Sequence, residues 1–517
     1  MTDDYSKKSD SVGVMEVDNG QPLTTIISPK GKVVQITDDV DQAMDLALEA
    51  DHQVFSEKED RKLLFKLDCI VLPLFSFLYM IQFMDKTSIG FAAVMGIQAD
   101  YNMKGQMYSW TNSCFYLGYL CAAPFSAILL QKLPIIKAVS TFIVIWGIIQ
   151  CLHVTAKSYA TFVLLRTLLG VLESFVSPIF VVILNQYYRH AEHFGRTAIF
   201  YGFNGLGTVV LSGISYGLFE RAGQYTMKPY KVLFMIIGIA TIVNGLLIML
   251  IMPDTPAQAR FLTHREKLNV VERIRGNNQG FGNKHFKKYQ LIECVTDVRT
   301  WIYFAIGILV AIPNGGISGF GTILLKSMGY SSIRSLLIKA PLGGVECVGL
   351  IALRYLSIFI KKRMILGISY MVLVVIASCL LAFAAQEKAQ LAGYYLLGVA
   401  PVGIILVTSC VTSNTAGHTK KLVANAISLV GYSCGNIIGP QTFQSSDAPH
   451  YPKAKATVVG CYCGAIVLMI ILTVLNVTEN RRRDKQREKM GDKYKPVENM
   501  EFADLTDGQN PEFRYRI

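Results

Sequence analysis

Residues 159–185 read YATFVLLRTLLGVLESFVSPIFVVILN, an apolar run that carries two charges, Arg166 and Glu173. At ~1.5 Å per residue the run is long enough to cross a bilayer as a helix. The seven-residue spacing of Arg166 and Glu173 places both on nearly the same helix face, about two turns apart. Ionisable groups at that depth are costly and face a bundle interior or a wet cavity. Two readings follow: a structural ion pair locking helices together, or a pathway for a charged solute and a coupling ion.

The whole chain has the same character. Its 517 residues are 52% hydrophobic and only 17% charged. A soluble protein of this size would divide into domains with many charged surfaces. Here the apolar residues come in long unbroken runs, the mark of membrane spans. The net charge is +13, yet residues 1–56 hold eleven acids against four bases, so the remainder carries about +20. That basic excess sits in short loops beside apolar segments, as the positive-inside rule requires, and not in a patch suited to nucleic acid. The start, MTDDYSKKSDSVG, has no hydrophobic core for a cleavable signal, so the first span is expected to direct its own insertion. Most of the eleven cysteines lie in apolar runs as small buried hydrophobes, and no metal or other cofactor is expected.

Residues 1–60 are expected to form a disordered, acidic cytosolic tail. Six spans follow in residues 61–252, a hydrophilic linker in 253–299, six more spans in 300–478, and a cytosolic tail in 479–517 that opens on Arg481, Arg482 and Arg483. With both ends inside, the inner loops carry about twice the Lys and Arg of the outer loops. The expected fold class is therefore an all-α integral membrane protein of twelve transmembrane helices in two pseudo-symmetric six-helix halves. Such an arrangement places a substrate site between the halves near the midplane.

Candidate site residues follow from polarity inside these spans. Asp85 and Lys86 interrupt the first span, which is expected to run from Cys69 to about Gln98, and they lie at a depth comparable with Glu173. A carboxylate exposed alternately to apolar surroundings and to a cation can take up and release a proton. Asp85 and Glu173 are the proton-coupling candidates, and Lys86 and Arg166 are their cationic partners. Asn204, Asn314, Asn414 and Asn436 are candidates for hydrogen bonding a polar solute, with interhelical hydrogen bonds the competing use. Glu346 reads as a second ligand or coupling site, or as part of a buried pair with Lys339 or another base. Lys339 and His153 are both expected at outer helix ends. Asn476-Val-Thr478 fits a glycosylation sequon but falls at the cytosolic edge, where it would stay unmodified. No phosphate loop, zinc-protease pattern or nucleophile with a base is found, so an enzyme is not expected.

Several stretches together resemble the fungal allantoate permease family, in the anion:cation symporter branch of the major facilitator superfamily. They are NTAGHTKKLVANAISLVGYSCGNIIGPQTFQSSDAPHY (Asn414–Tyr451), DKTSIG from Asp85, RTLLGVLESFVSP from Arg166 and YYRHAEHFGR from Tyr187. The resemblance covers residues 65–478. It implies proton-driven symport of a small organic anion such as allantoate, a vitamin or a thiamine-pathway compound. It also implies that Asp85 and Glu173 couple protons while Lys86 and Arg166 serve the anion. Lys86 stands where the wider branch has arginine. The expected partners are the organic anion, protons and the lipid bilayer, for a monomer in the plasma membrane. Endoplasmic reticulum is the other location considered, and a nutrient-sensing receptor on a transporter scaffold is the other function.

Overall fold

The computed structural model describes residues 25–27, 33–35, 55–275, 287–360, 363–490, 506–510 and 513–516. Most of the tail expected in residues 1–60 lies outside these. Within it, β1 (Thr25–Ile27) pairs antiparallel with β2 (Val33–Gln35), Ile26 opposite Val34.

The first long helix, α1 (Glu57–Val94), begins well before Cys69 because Ser56 caps it. The Ser56 hydroxyl accepts the Glu59 N–H, and the Glu59 carboxylate accepts the Ser56 N–H at 3.0 Å. These bonds satisfy orphan donors that would otherwise fray the first turn. The helix then passes through Asp85 and Lys86 without a break.

Further helices of the first half are α2 (Met107–Lys132), α3 (Ile135–Leu152), α4 (Tyr159–Glu173), α5 (Ser177–Tyr187), α6 (His190–Glu220) and α7 (Pro229–Ile251). The quoted segment 159–185 is thus two helices. Pro178, in the first turn of α5, has no N–H with which to continue the ladder of α4. The linker contributes α8 (His264–Arg275) and α9 (Lys288–Thr296). The second half contains α10 (Val298–Ser327), α11 (Ser332–Ile338), α12 (Ala340–Phe359), α13 (Arg363–Phe383), α14 (Glu387–Leu396), α15 (Pro401–Asn414), α16 (His418–Gln441) and α17 (Pro452–Met490). Among the described residues, ten helical segments are long and apolar enough to cross a membrane. Of the twelve expected, the two outside that set are α2 and the broken α4–α5 segment. Large apolar side chains such as Leu250, Val348 and Phe359 stand on the outside of the bundle, as lipid-facing residues do.

One apolar core fills the first half and a second fills most of the other half. Phe320, Phe443 and Tyr451 come from the second half but belong to the first core, so the halves are sealed at that end. There the Tyr108 hydroxyl donates to the Gly319 carbonyl, Thr322 to Gly90 and Ser113 to Ile437, each at 2.7 Å. Phe320 stacks on Phe443 with centroids 4.6 Å apart.

The opposite end is braced differently. Helix α8 ties to the first half: Arg273 pairs with Asp60 and Glu192, Arg265 with Glu59, and Lys66 with Glu266 at 2.7 Å. Partial burial pushes the Glu266 carboxyl up, but Lys66 and the Thr263 N–H outweigh it and hold the group below its usual range. Helix α9 ties to the second half instead, where buried Lys420 pairs with Glu293, Asp297 and Asp507 at 2.8–3.0 Å. Asp507 belongs to the far C-terminal segment, which returns beneath the bundle after α17 has extended past the Arg481–Arg483 run. There the Tyr515 hydroxyl donates to Asp507 at 2.7 Å and the Arg483 guanidinium donates to the Phe513 carbonyl. The linker therefore serves as two separate clamps, one for each half.

Candidate functional site

Asp85 and Lys86 are adjacent on α1, so their side chains leave the helix about 100° apart. Each finds a different partner on α4. Asp85, fully buried, pairs with Arg166, whose Nη1 lies 3.4 Å from Oδ1. The Trp146 indole of α3 donates to the other oxygen, Oδ2, at 2.7 Å. Arg166 also donates to Ser88 Oγ and lies over the rings of Phe162 and Phe234, 5.6 and 5.2 Å from their centroids. It is 2% exposed, held by an ion pair and by two aromatic faces.

Lys86 turns the other way and pairs with Glu173, one of whose oxygens, Oε1, also accepts Gln82 Nε2 at 2.7 Å. Glu173 Oε2 is buried with no hydrogen-bond partner. Lys86 retains 20% side-chain exposure, the largest of the four charges. Tyr116 of α2 and Tyr432 of α16 bring their rings within 6.5 Å of one another close by, and the second places the other half against this pair. The four charges expected from the sequence thus form one buried group with crossed pairing, Asp85 to Arg166 and Lys86 to Glu173. Close helix packing makes this possible: a Cβ on Gly170 would stand 1.9 Å from the Phe115 carbonyl oxygen, so only glycine lets α4 approach α2.

Trp146 is the residue sequence reasoning missed. An indole N–H in an apolar span needs an acceptor when buried, and that requirement was the available signal. Trp146→Phe is expected to leave Asp85 Oδ2 without its donor and to cost about 1–3 kcal/mol. A thermal unfolding midpoint equal to that of the parent protein would show the bond to be dispensable.

The asparagines separate. Asn314 lines a cavity of about 60 Å³ between the halves, together with Phe83, Thr87, Thr208, Lys339 and Glu346. Asn204 on α6 is buried with its Oδ1 unpartnered. Asn436 on α16 donates to the Tyr432 carbonyl and is pressed against Gly315 of α10, which makes it a helix-packing residue with one free oxygen. Asn414 does not join the group, because it ends α15 and is occupied by the C-terminal segment. Its Oδ1 accepts the Arg516 N–H at 2.7 Å, and its amide donates to Tyr303 and to the Arg516 carbonyl.

Other expectations are corrected. Lys339 is 2% exposed and does not snorkel to an interface. His153 is buried between Phe162 and Phe234, with Nδ1 2.9 Å from the Ile149 carbonyl oxygen. The Asn476 sequon is no correction: expected to stay unmodified, its asparagine is buried and accepts Arg299 Nε at 3.1 Å.

Residues 75–440 match the family model described as Major Facilitator Superfamily. The chain is 46% identical to an allantoate permease of Saccharomyces cerevisiae over 508 residues, covering 96% of this chain and 93% of that protein. It is 43% identical over 505 residues to an uncharacterized transporter of Schizosaccharomyces pombe, covering 98% and 96%. Among solved structures, a bacterial homolog of the human lysosomal transporter Spinster, inward-facing and unoccupied, superposes with a TM-score of 0.55 at 16% identity. That match covers 78% of this chain and 94% of the other, and it reflects the fold alone.

Proposed function

Because the chain belongs to the major facilitator superfamily, and within it to the fungal allantoate permease family, we propose that it carries a small organic anion across the membrane together with protons. That it is a multi-pass membrane transporter and not an enzyme follows from the family; the anion and the proton are our reading. The anion is a carboxylate nutrient of the kind for which the yeast relative is named.

The observation that carries this reading is the Lys86–Glu173 pair, in which the base retains some exposure and the buried acid has one oxygen free. With Glu173 ionised, Lys86 is already neutralised, and a second carboxylate beside it would leave an uncompensated buried charge. Such a charge costs several kcal/mol. A proton on Glu173 releases Lys86 to take the carboxylate of the substrate, so one anion and one proton bind together. Asp85 keeps Arg166 in place and is a second proton site when its pair opens. Alternating exposure of this group to the two sides turns coupled binding into symport. The transporter works as a monomer in the plasma membrane with both termini in the cytosol.

Glu173→Gln fixes the protonated shape. Accumulation driven by an inward proton gradient should fall at least tenfold, while exchange of labelled for unlabelled substrate without a gradient persists. Full gradient-driven accumulation by this variant would overturn the role of Glu173.

A further inference from the structure

The two acids of the charged group differ in what lies behind them. Lys86 and Glu173 stand near Tyr432 of the other half, whereas Asp85 and Arg166 point into the first half, against α3 and α7. Trp146, Gln150 and His153 are four and three residues apart, so they share one face of α3. Gln150 and His153 stand ~6 and ~10 Å along it from the indole that holds Asp85. Both are completely buried. A carbonyl only accepts, so His153 Nδ1 carries the proton given to Ile149, and Nε2 of the neutral ring is an acceptor. Among the described residues, that Nε2, both ends of the Gln150 amide and Arg166 Nε have no hydrogen-bond partner. The set is complementary: the guanidinium donates, the imidazole accepts, and the amide does both.

The same two rings hold both ends of this set. Phe162 and Phe234, which flank Arg166, have centroids 5.1 and 5.7 Å from the His153 ring. Beyond them, toward the mouth where the halves are sealed, Tyr101 lies 5.1 Å from Phe162 and Tyr230 lies 6.0 Å from Phe234. The Tyr101 hydroxyl donates to the Ala156 carbonyl just past His153. Asp100 follows, paired with Lys228 and with Oδ2 buried and unpartnered. Polar atoms thus run in file from Asp85 to the end of α3. Buried polar groups that converge without partners are where a protein holds internal water, which makes about three hydrogen bonds.

The geometry points to a proton route to Asp85 inside the first half. Water held by Arg166, Gln150 and His153 carries protons from the sealed mouth to Asp85 while the substrate path stays shut on that side. Gln150 and His153 are positioning residues that hold this water. Each water takes a proton from behind and releases one ahead, the last O–H bond forms on Asp85, and release runs in reverse. Nothing is oxidised or reduced. The other titratable and charged groups around the pair are Lys86, Glu173, Cys114 and Tyr108, on α1, α2 and α4. The inference rests on the reading of Asp85 as a proton site and adds the path that reaches it.

The test uses the purified full-length protein with Trp110→Phe and Trp301→Phe, which leaves Trp146 as its single tryptophan. The Trp146 emission then reports the charge on the carboxylate that its N–H bonds. After a stopped-flow jump from neutral to acid pH, that emission should change in this parent and stay constant once Asp85→Asn is added. Gln150→Met and His153→Phe, apolar replacements of similar size, should each slow the change at least tenfold and keep its final amplitude. His153→Gln, which retains an acceptor, should stay within threefold of the parent. The methionine variant decides alone if the phenylalanine variant does not fold. An unchanged rate in the apolar variants, or equal slowing in His153→Gln, would overturn the route and leave Asp85 a proton site. A parent that does not respond would remove Asp85 from the proton sites and the route with it, with the role of Glu173 untouched.

Discussion

Arg166→Ala is expected to destabilise the protein severely and to abolish transport. Arg166 is the ion-pair partner of a fully buried Asp85, and removing it leaves that carboxylate with the Trp146 N–H as its principal remaining support. Stranding one member of a buried pair costs about 3–5 kcal/mol, a large share of a stability that is commonly 5–15 kcal/mol. The cavity left between Phe162 and Phe234 adds to that loss. The double variant Asp85→Asn with Arg166→Met separates charge from packing. With no charge left to strand, most of the folded yield and thermal midpoint should return, while uptake stays absent. Wild-type stability in Arg166→Ala would mean that Asp85 is neutral or solvated in the folded protein, and the account of the group would fail.

Gly343→Leu is expected to spare folding and stop transport. A Cβ on Gly343 would stand 2.2 Å from the Gly205 carbonyl oxygen, and one on Gly205 would stand 2.4 Å from that of Gly343. The Cys347 thiol donates to the Gly202 carbonyl at 3.0 Å along the same contact. Helices α6 and α12 belong to different halves and touch here by their backbones, as membrane helices with small residues do. A leucine must part them, and the halves can no longer reach the arrangement described here. Each half keeps its own core, so a monodisperse protein with at least a tenfold loss of uptake is the expected result. Gly344→Ala is the control, because a Cβ there meets nothing within 4 Å and transport should be unchanged. Normal uptake by Gly343→Leu would show this close contact to be unnecessary.

The membrane helices and the four charges were legible because burying an ionisable side chain in an apolar run is costly wherever the run folds. Helical spacing was enough to put Arg166 and Glu173 on one face, and matching depths were enough to bring Asp85 and Lys86 near them. Spacing could not say which acid meets which base, since the ~100° step between Asp85 and Lys86 sends them to different neighbours. Burial of Lys339 was misread because position along a helix gives depth but not which side faces a partner half. Nothing local to Asn414 tells that it binds Arg516, a residue about a hundred positions away that composition alone marks as tail. The Asp254 carboxylate, which accepts the Ile136 and Lys137 N–H groups and so caps α3 from the linker, was equally out of reach. Contacts between segments far apart in sequence leave little trace in local pattern.

The two clamps made by the linker have an energetic corollary for alternating access. Among the described residues, the ion pairs of α8 stay with the first half and those of α9 and the C-terminal segment stay with the second. Parting the halves at that mouth therefore breaks none of them, whereas the far mouth is held by its own contacts between the halves. There, Tyr108, Ser113, Thr322 and the Phe320–Phe443 stack must let go before the pathway can open to the other side.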